Sequence, residues 1–295
     1  MLSSRRCPSR RQISGSADPV RFLLAALSLM VMDAFADADS NLTALSGAGF
    51  ETELAGKDVI FCARDAGTGQ EWRFQPSRGG ERHRPFSTFK IANLVIALES
   101  GVARSLDDER PWRIEHRPPM DFWPESWKQD QTLASAFRRS AVWYFRDLAL
   151  EIGGDRYRWW LDHFNYGNGL APDGNDLFWL NGPLALSPCE QVTFIEGLWA
   201  GRFRVSARTL AALHEVSLIE EFPAVRLYGK TGSGSVGAQA FDSEFEGWLV
   251  GWVERDQADP VAYALYVRGP DYRSIEQFRK RMSIAFLRAS GVLPE

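Results

Sequence analysis

The stretch Pro85-Phe86-Ser87-Thr88-Phe89-Lys90-Ile91-Ala92-Asn93 decides how the chain is read. It follows a loop rich in Gly, Arg and Pro and opens an apolar run, Leu94 to Leu98, that ends at Gly101. A proline before the first turn and a glycine after the last apolar residue predict a helix. Ser87 and Lys90, three residues apart, then share a face and can touch. The hydroxyl falls in the first turn, where free N–H groups and the helix dipole favour developing negative charge. A serine needs a base to become a nucleophile. The lysine one turn on is that base if its surroundings stop it from being a cation. Lysine is scarce, with only Lys57, Lys90, Lys128, Lys230 and Lys280, so its place beside Ser87 carries weight.

Upstream, Asp58 to Cys62, the turn Asp65-Ala66-Gly67-Thr68-Gly69 and Glu71 to Phe74 read as a hairpin. Downstream, Pro111, Pro118, Pro119 and Pro124 break an irregular segment. Gln131 to Ile152 is helical in pattern with an interruption at Ser140, and Asp155 to Phe164 is a second helical piece. Ser187-Pro188-Cys189-Glu190 is a capping box with proline at the first helical position, starting a helix to about Trp199; Ser206 to Val216 is another. The period then changes. Val225 to Tyr228, Glu246 to Val253 and Val261 to Val267 read as strands, and Ser274 to Arg288 closes the chain as a helix. Short connections favour antiparallel pairing. The fold class is therefore α/β, or α+β by strand direction: an antiparallel sheet flanked by helices plus a helical lobe. A sheet lobe of about 50–80 and 222–295 faces a helical lobe of about 87–218, and the cleft between them suits a ligand.

The chain has 295 residues, 45% hydrophobic and 24% charged, which fits one globular catalytic domain over 39–295. Its formal net charge of -4, without a basic tract beyond the N-terminal arginines, argues against nucleic acid as a partner. Eleven tryptophans suit a large core or an aromatic-lined cleft. Arg5, Arg6, Arg10, Arg11 and Arg21 precede an apolar run from Phe22 to Met32 and then Ala34-Phe35-Ala36-Asp37-Ala38. That order predicts a signal peptide over 1–38, cleaved after Ala38 or Ala36, and a periplasmic or secreted bacterial protein. The run is short for a bilayer span, so no stable membrane span is expected after cleavage. Cys7 falls in the removed segment. Cys62 lies in a strand pattern and Cys189 at a helix start; they either pair or stay as buried thiols. His83, His116, His163 and His214 lack ligand spacing, so no metal site is expected. Nothing in the chain specifies an oligomer.

Further strings complete a pattern: Trp127-Lys128-Gln129-Asp130-Gln131-Thr132-Leu133, Ser140-Ala141-Val142, Tyr166-Gly167-Asn168, Phe178-Trp179-Leu180, Lys230-Thr231-Gly232 and Gly247-Trp248-Leu249-Val250-Gly251-Trp252-Val253. Ser-x-x-Lys with a distant Lys-Thr-Gly marks penicillin-recognising serine enzymes. With all these strings in order from about Val59 to Leu293, the chain resembles the class D (oxacillinase-type) serine β-lactamases. Ser-x-Val with Tyr-Gly-Asn separates that class from class A enzymes and penicillin-binding proteins.

The resemblance implies β-lactam hydrolysis through a Ser87 acyl-enzyme, with Lys90 as an N6-carboxylysine that acts as general base. Carbon dioxide or bicarbonate would be the one small molecule needed besides substrate, with no further cofactor. Burial lowers an amine's pKa and leaves it able to add CO2. Trp179, whose indole only donates, would hold the carbamate inside an apolar wall of Phe89, Val142, Trp179 and Leu180. Ser140 would pass a proton to the lactam nitrogen with help from Lys230. Val142, Leu180, Thr231, Gly232, Ser233 and Arg279 would contact substrate, with Lys230 and Arg279 facing its carboxylate and Arg273 and Arg281 as rivals of Arg279. The N–H groups of Ser87 and Ser233 would form the oxyanion hole. Ser233 stands where many relatives carry an aromatic residue, which bears on substrate preference. Tyr166-Gly167-Asn168 reads as a loop brace. Two other functions share these motifs: a non-hydrolytic penicillin sensor, and a peptidoglycan transpeptidase or carboxypeptidase, which would be expected to keep Asn in place of Val142.

Overall fold

A computed structural model describes residues 41–237 and 243–295; the predicted signal peptide and Cys7 lie outside the described residues. Strand β1 (Leu42–Ala44) and helix α1 (Glu51–Leu54) lead into the hairpin β2 (Asp58–Asp65) and β3 (Glu71–Phe74). A 3-10 turn, Phe86–Phe89, runs directly into α2 (Lys90–Glu99). The pair β4 (Glu109–Arg110) and β5 (Gln131–Thr132) flanks the proline-broken segment. Then come α3 (Leu133–Arg139), α4 (Val142–Ile152), α5 (Gly154–His163), α6 (Pro188–Trp199) and α7 (Ala207–Ser217). Strands β6 (Leu218–Phe222), β7 (Val225–Ser235), β8 (Phe245–Arg255) and β9 (Ala258–Gly269) precede α8 (Tyr272–Glu276) and α9 (Phe278–Ala289).

Among the described residues the main sheet has seven strands in the order β1-β3-β2-β9-β8-β7-β6. All its pairs are antiparallel except β1 with β3, which is parallel. Four details depart from the sequence reading. β1 and β6 are short edge strands without an apolar run to announce them. β7 continues past Tyr228 through Lys230-Thr231-Gly232, because its whole length pairs with β8. The closing helix is two helices, separated at Gln277.

Alternation along the central strands sorts side chains to the two faces. Tyr228, Trp248, Val250, Trp252, Ala264 and Tyr266 join the core shared with α2 to α6. Leu227, Leu249, Val253, Tyr263 and Leu265 face α8 and α9. Lys230 is two residues on from Tyr228, so the same alternation carries it to the helical side.

The capping box at Ser187 is formed in both directions: its hydroxyl accepts from Glu190 N at 3.2 Å and its N–H donates to Glu190 Oε2 at 2.8 Å. That start sets Cys189, which is disulfide-bonded to Cys62 of β2, with Cα atoms 5.6 Å apart. The bond ties sheet to helical layer across 127 residues. Gly79 borders it, where a Cβ would lie 2.7 Å from Cys189 Sγ.

Candidate active site

Ser87 and Lys90 come together as their spacing predicts. Lys90 Nζ lies 2.8 Å from Ser87 Oγ. Lys90 is 0% exposed, whereas Ser87 is half-buried and reachable from solvent. Phe86 enters the turn in a left-handed conformation, φ 48°, which is costly for a bulky residue. Two contacts hold it there: its N–H donates to Trp179 O at 3.0 Å, and its ring fills the space beside Gly234, where a Cβ would lie 2.2 Å from Phe86 Cε1.

The wall around Lys90 is aromatic. The Phe145 ring centroid lies 5.2 Å from Lys90 Nζ. Phe89 stacks on Trp179 with centroids 5.3 Å apart. Burial, reinforced by the charge of Lys230, pushes the Lys90 amine well below the ordinary lysine range. The Trp179 indole is 0% exposed and its Nε1 has no protein hydrogen-bond partner. A buried N–H without an acceptor is costly, and this one belongs to a ring stacked on Phe89, the residue before Lys90.

A second lysine–serine pair comes from β7 and the α3–α4 corner. Lys230 Nζ lies 3.1 Å from Ser140 Oγ and 3.1 Å from Thr231 O. Ser140 caps α3 in a left-handed conformation, φ 61°, which turns the chain into α4. Phe137 lies beneath Lys230 Nζ at 5.8 Å. Burial, followed by the charge of Arg279, lowers the Lys230 pKa to about 7.

Gly232 closes the site against the nucleophile turn. A Cβ there would lie 2.7 Å from Pro85 O and 3.1 Å from Ser87 N, so only glycine lets the strand approach so closely. Ser233 follows, half-buried, opposite Gly247. Val142 and Leu180 are half-buried at the start of α4 and beside Trp179. Arg279 is 6% exposed, and its Nη1 donates to Gly232 O at 2.8 Å. Tyr166-Gly167-Asn168 braces the loop that carries Trp179. Asn168 Nδ2 donates to Pro183 O at 2.7 Å, and its Oδ1 accepts from Ala185 N at 3.1 Å.

The family profile of the penicillin-binding protein transpeptidase domain matches residues 80–283. The probable β-lactamase YbxI of Bacillus subtilis is 34% identical over 211 residues, 72% of this chain and 75% of that protein. The β-lactamase OXA-10 of Pseudomonas aeruginosa is 31% identical over 217 residues, 74% of this chain and 78% of that one. The chain belongs to the class D serine β-lactamases. Its fold agrees: the class D β-lactamase of Sebaldella termitidis superposes with a TM-score of 0.75 at 26% identity, covering 86% of this chain and 100% of that one. The C-terminal domain of the Bacillus licheniformis BlaR penicillin receptor shares the fold, with a TM-score of 0.76 at 24% identity over 87% of this chain and 99% of that domain.

As a class D β-lactamase the chain is a hydrolase. The sequence reading missed several residues of its site. Phe145 is three residues beyond Val142 and Phe137 three before Ser140, so helical spacing from those motif positions was the signal available for both rings. Gln191 of α6 donates to Thr88 Oγ1 at 3.2 Å beneath the nucleophile turn, a link 103 residues apart in sequence that no local pattern announces.

Proposed function

We propose that this enzyme hydrolyses β-lactams through an acyl-enzyme on Ser87. The observation that carries the reading is a lysine amine fully out of water, 2.8 Å from the hydroxyl of the half-buried Ser87. The Ser87 proton leaves towards Lys90 as Oγ attacks the lactam carbonyl. The N–H groups of Ser87 and Ser233 receive the developing oxyanion. The carbon–nitrogen bond breaks, and Ser140 Oγ delivers a proton to the departing nitrogen, with Lys230 Nζ resupplying it. Water then attacks the acyl ester and releases Ser87.

Carbon dioxide captured by the neutral Lys90 amine would supply a carboxylate base, able to serve acylation and deacylation alike. The unpartnered Trp179 Nε1, the Phe89–Trp179 stack and the Phe145 ring over Lys90 support such a group. The substrate carboxylate meets Lys230 and Arg279, while Val142, Leu180, Thr231 and Gly232 border the ring. Residues 1–38 serve as the export segment, and the cross-link from Cys62 to Cys189 suits an oxidising periplasmic or extracellular compartment.

Steady-state turnover of a chromogenic cephalosporin, with and without added bicarbonate, tests this. Turnover stimulated by bicarbonate is expected. A stoichiometric burst without turnover would instead favour a penicillin sensor, the reading suggested by the 29% identity to the regulatory protein BlaR1 of Bacillus licheniformis, of which the match covers 33%.

A further inference from the structure

Arg279 reaches the site from behind. It stands on α9, on the side of the sheet away from the nucleophile helix, and its Nε donates to Glu276 O at 3.2 Å. Gly247 leaves room for its stem: a Cβ there would lie 3.6 Å from Arg279 Cδ and 2.9 Å from Ile275 Cδ1. The guanidinium ends at the Gly232 carbonyl, with Nη1 2.8 Å from the oxygen. Gly232 is the residue wedged against Ser87 N and Thr88 N.

We infer that Arg279 is a positioning residue for the oxyanion hole, acting through the Gly232–Ser233 peptide in addition to any contact with the substrate carboxylate. The inference rests on the Ser87 acyl-enzyme reading above. A trans peptide is planar, so its C=O and the following N–H point in opposite directions; among the described residues no peptide is cis. Holding the Gly232 oxygen therefore aims the Ser233 N–H away from α9. A cation at that oxygen also draws charge through the amide and makes the N–H a stronger donor, since linked hydrogen bonds polarise one another. The charge that helps Ser233 thus never needs to touch the reacting atoms. This arrangement also accounts for a buried guanidinium spending a donor on a backbone carbonyl: the peptide it grips carries the proposed donor at its other end.

The test separates positioning from carboxylate recognition. The acylation rate and KM are measured for a chromogenic cephalosporin and for its methyl ester, which lacks the carboxylate, on wild type, Arg279→Ala and Arg279→Lys. Affinity for a boronic acid without a carboxylate is measured alongside, and thermal melts report folding. Arg279→Ala is expected to slow acylation by both substrates roughly 10- to 100-fold. KM for the free acid should move by less than about threefold, and boronate affinity should fall with the acylation rate. Arg279→Lys, which keeps the charge, should recover part of each loss and carries the test if the alanine variant does not fold. A rise confined to the free acid's KM, with ester acylation and boronate affinity unchanged, would overturn the positioning role while leaving the acyl-enzyme reading intact. Failure of wild type to be acylated by either substrate would overturn both.

Discussion

Two lysine–serine pairs share this site, and they are not equivalent. Lys90–Ser87 lies within one helical turn, with the amine over the ring of Phe145 and the stacked rings of Phe89 and Trp179 in the same core. Lys230–Ser140 joins a strand to a helix corner, and its amine also meets a backbone carbonyl, Thr231 O. Burial lowers both pKa values, but Lys90 goes well below its usual range whereas Lys230 stops at about 7. Burial therefore disfavours the ammonium form of Lys90, while Lys230, with a pKa of about 7, is poised to take up and give back a proton near neutral pH.

The largest effect should come from Lys90→Ala. Rapid-mixing kinetics should show a folded protein with turnover lowered roughly a thousandfold or more, as expected when a positioned base is lost. Full activity in that variant would erase the distinction between the pairs. Next in size is Lys230→Ala, expected to cost roughly a hundredfold and to raise KM for substrates with a free carboxylate. If KM stays level, the charge that receives the carboxylate lies elsewhere.

The smallest of these effects is on stability. The folded Lys230 pKa of about 7 is below the ~10.4 of an unfolded lysine, so between those values the unfolded chain binds more protons. Stability should therefore rise with pH across that window, and the penalty is complete once pH falls below the folded value. In Lys230→Met the rise should be shallower in urea titrations at pH 7 and pH 9. An unchanged slope would mean that Lys230 keeps its charge in the folded enzyme.

Much of this arrangement could be read before folding was considered. The Pro85-to-Gly101 boundaries fix α2, and a spacing of three brings Ser87 to Lys90, because both signals are local. Alternation locates the central strands for the same reason. What stayed hidden is non-local or conformational. Strand β6 is half polar and owes its existence to pairing with β7. The left-handed Phe86 is imposed by Trp179 O and Gly234, not by its own propensity. The cysteine pair required knowing that β2 runs beneath the start of α6. Arg279 was picked out for its charge, yet its grip on Gly232 O spans 47 residues and emerges only from packing.

The central claim is that the Lys90 amine is neutral enough to capture carbon dioxide. Carbon-13 NMR of the enzyme equilibrated with labelled bicarbonate tests it most directly. A single carbamate resonance is predicted at neutral pH, absent from Lys90→Ala, weakened in Trp179→Ala and lost on acidification as the amine takes up a proton. A wild-type spectrum without that resonance, from enzyme that still turns over substrate, would contradict the account.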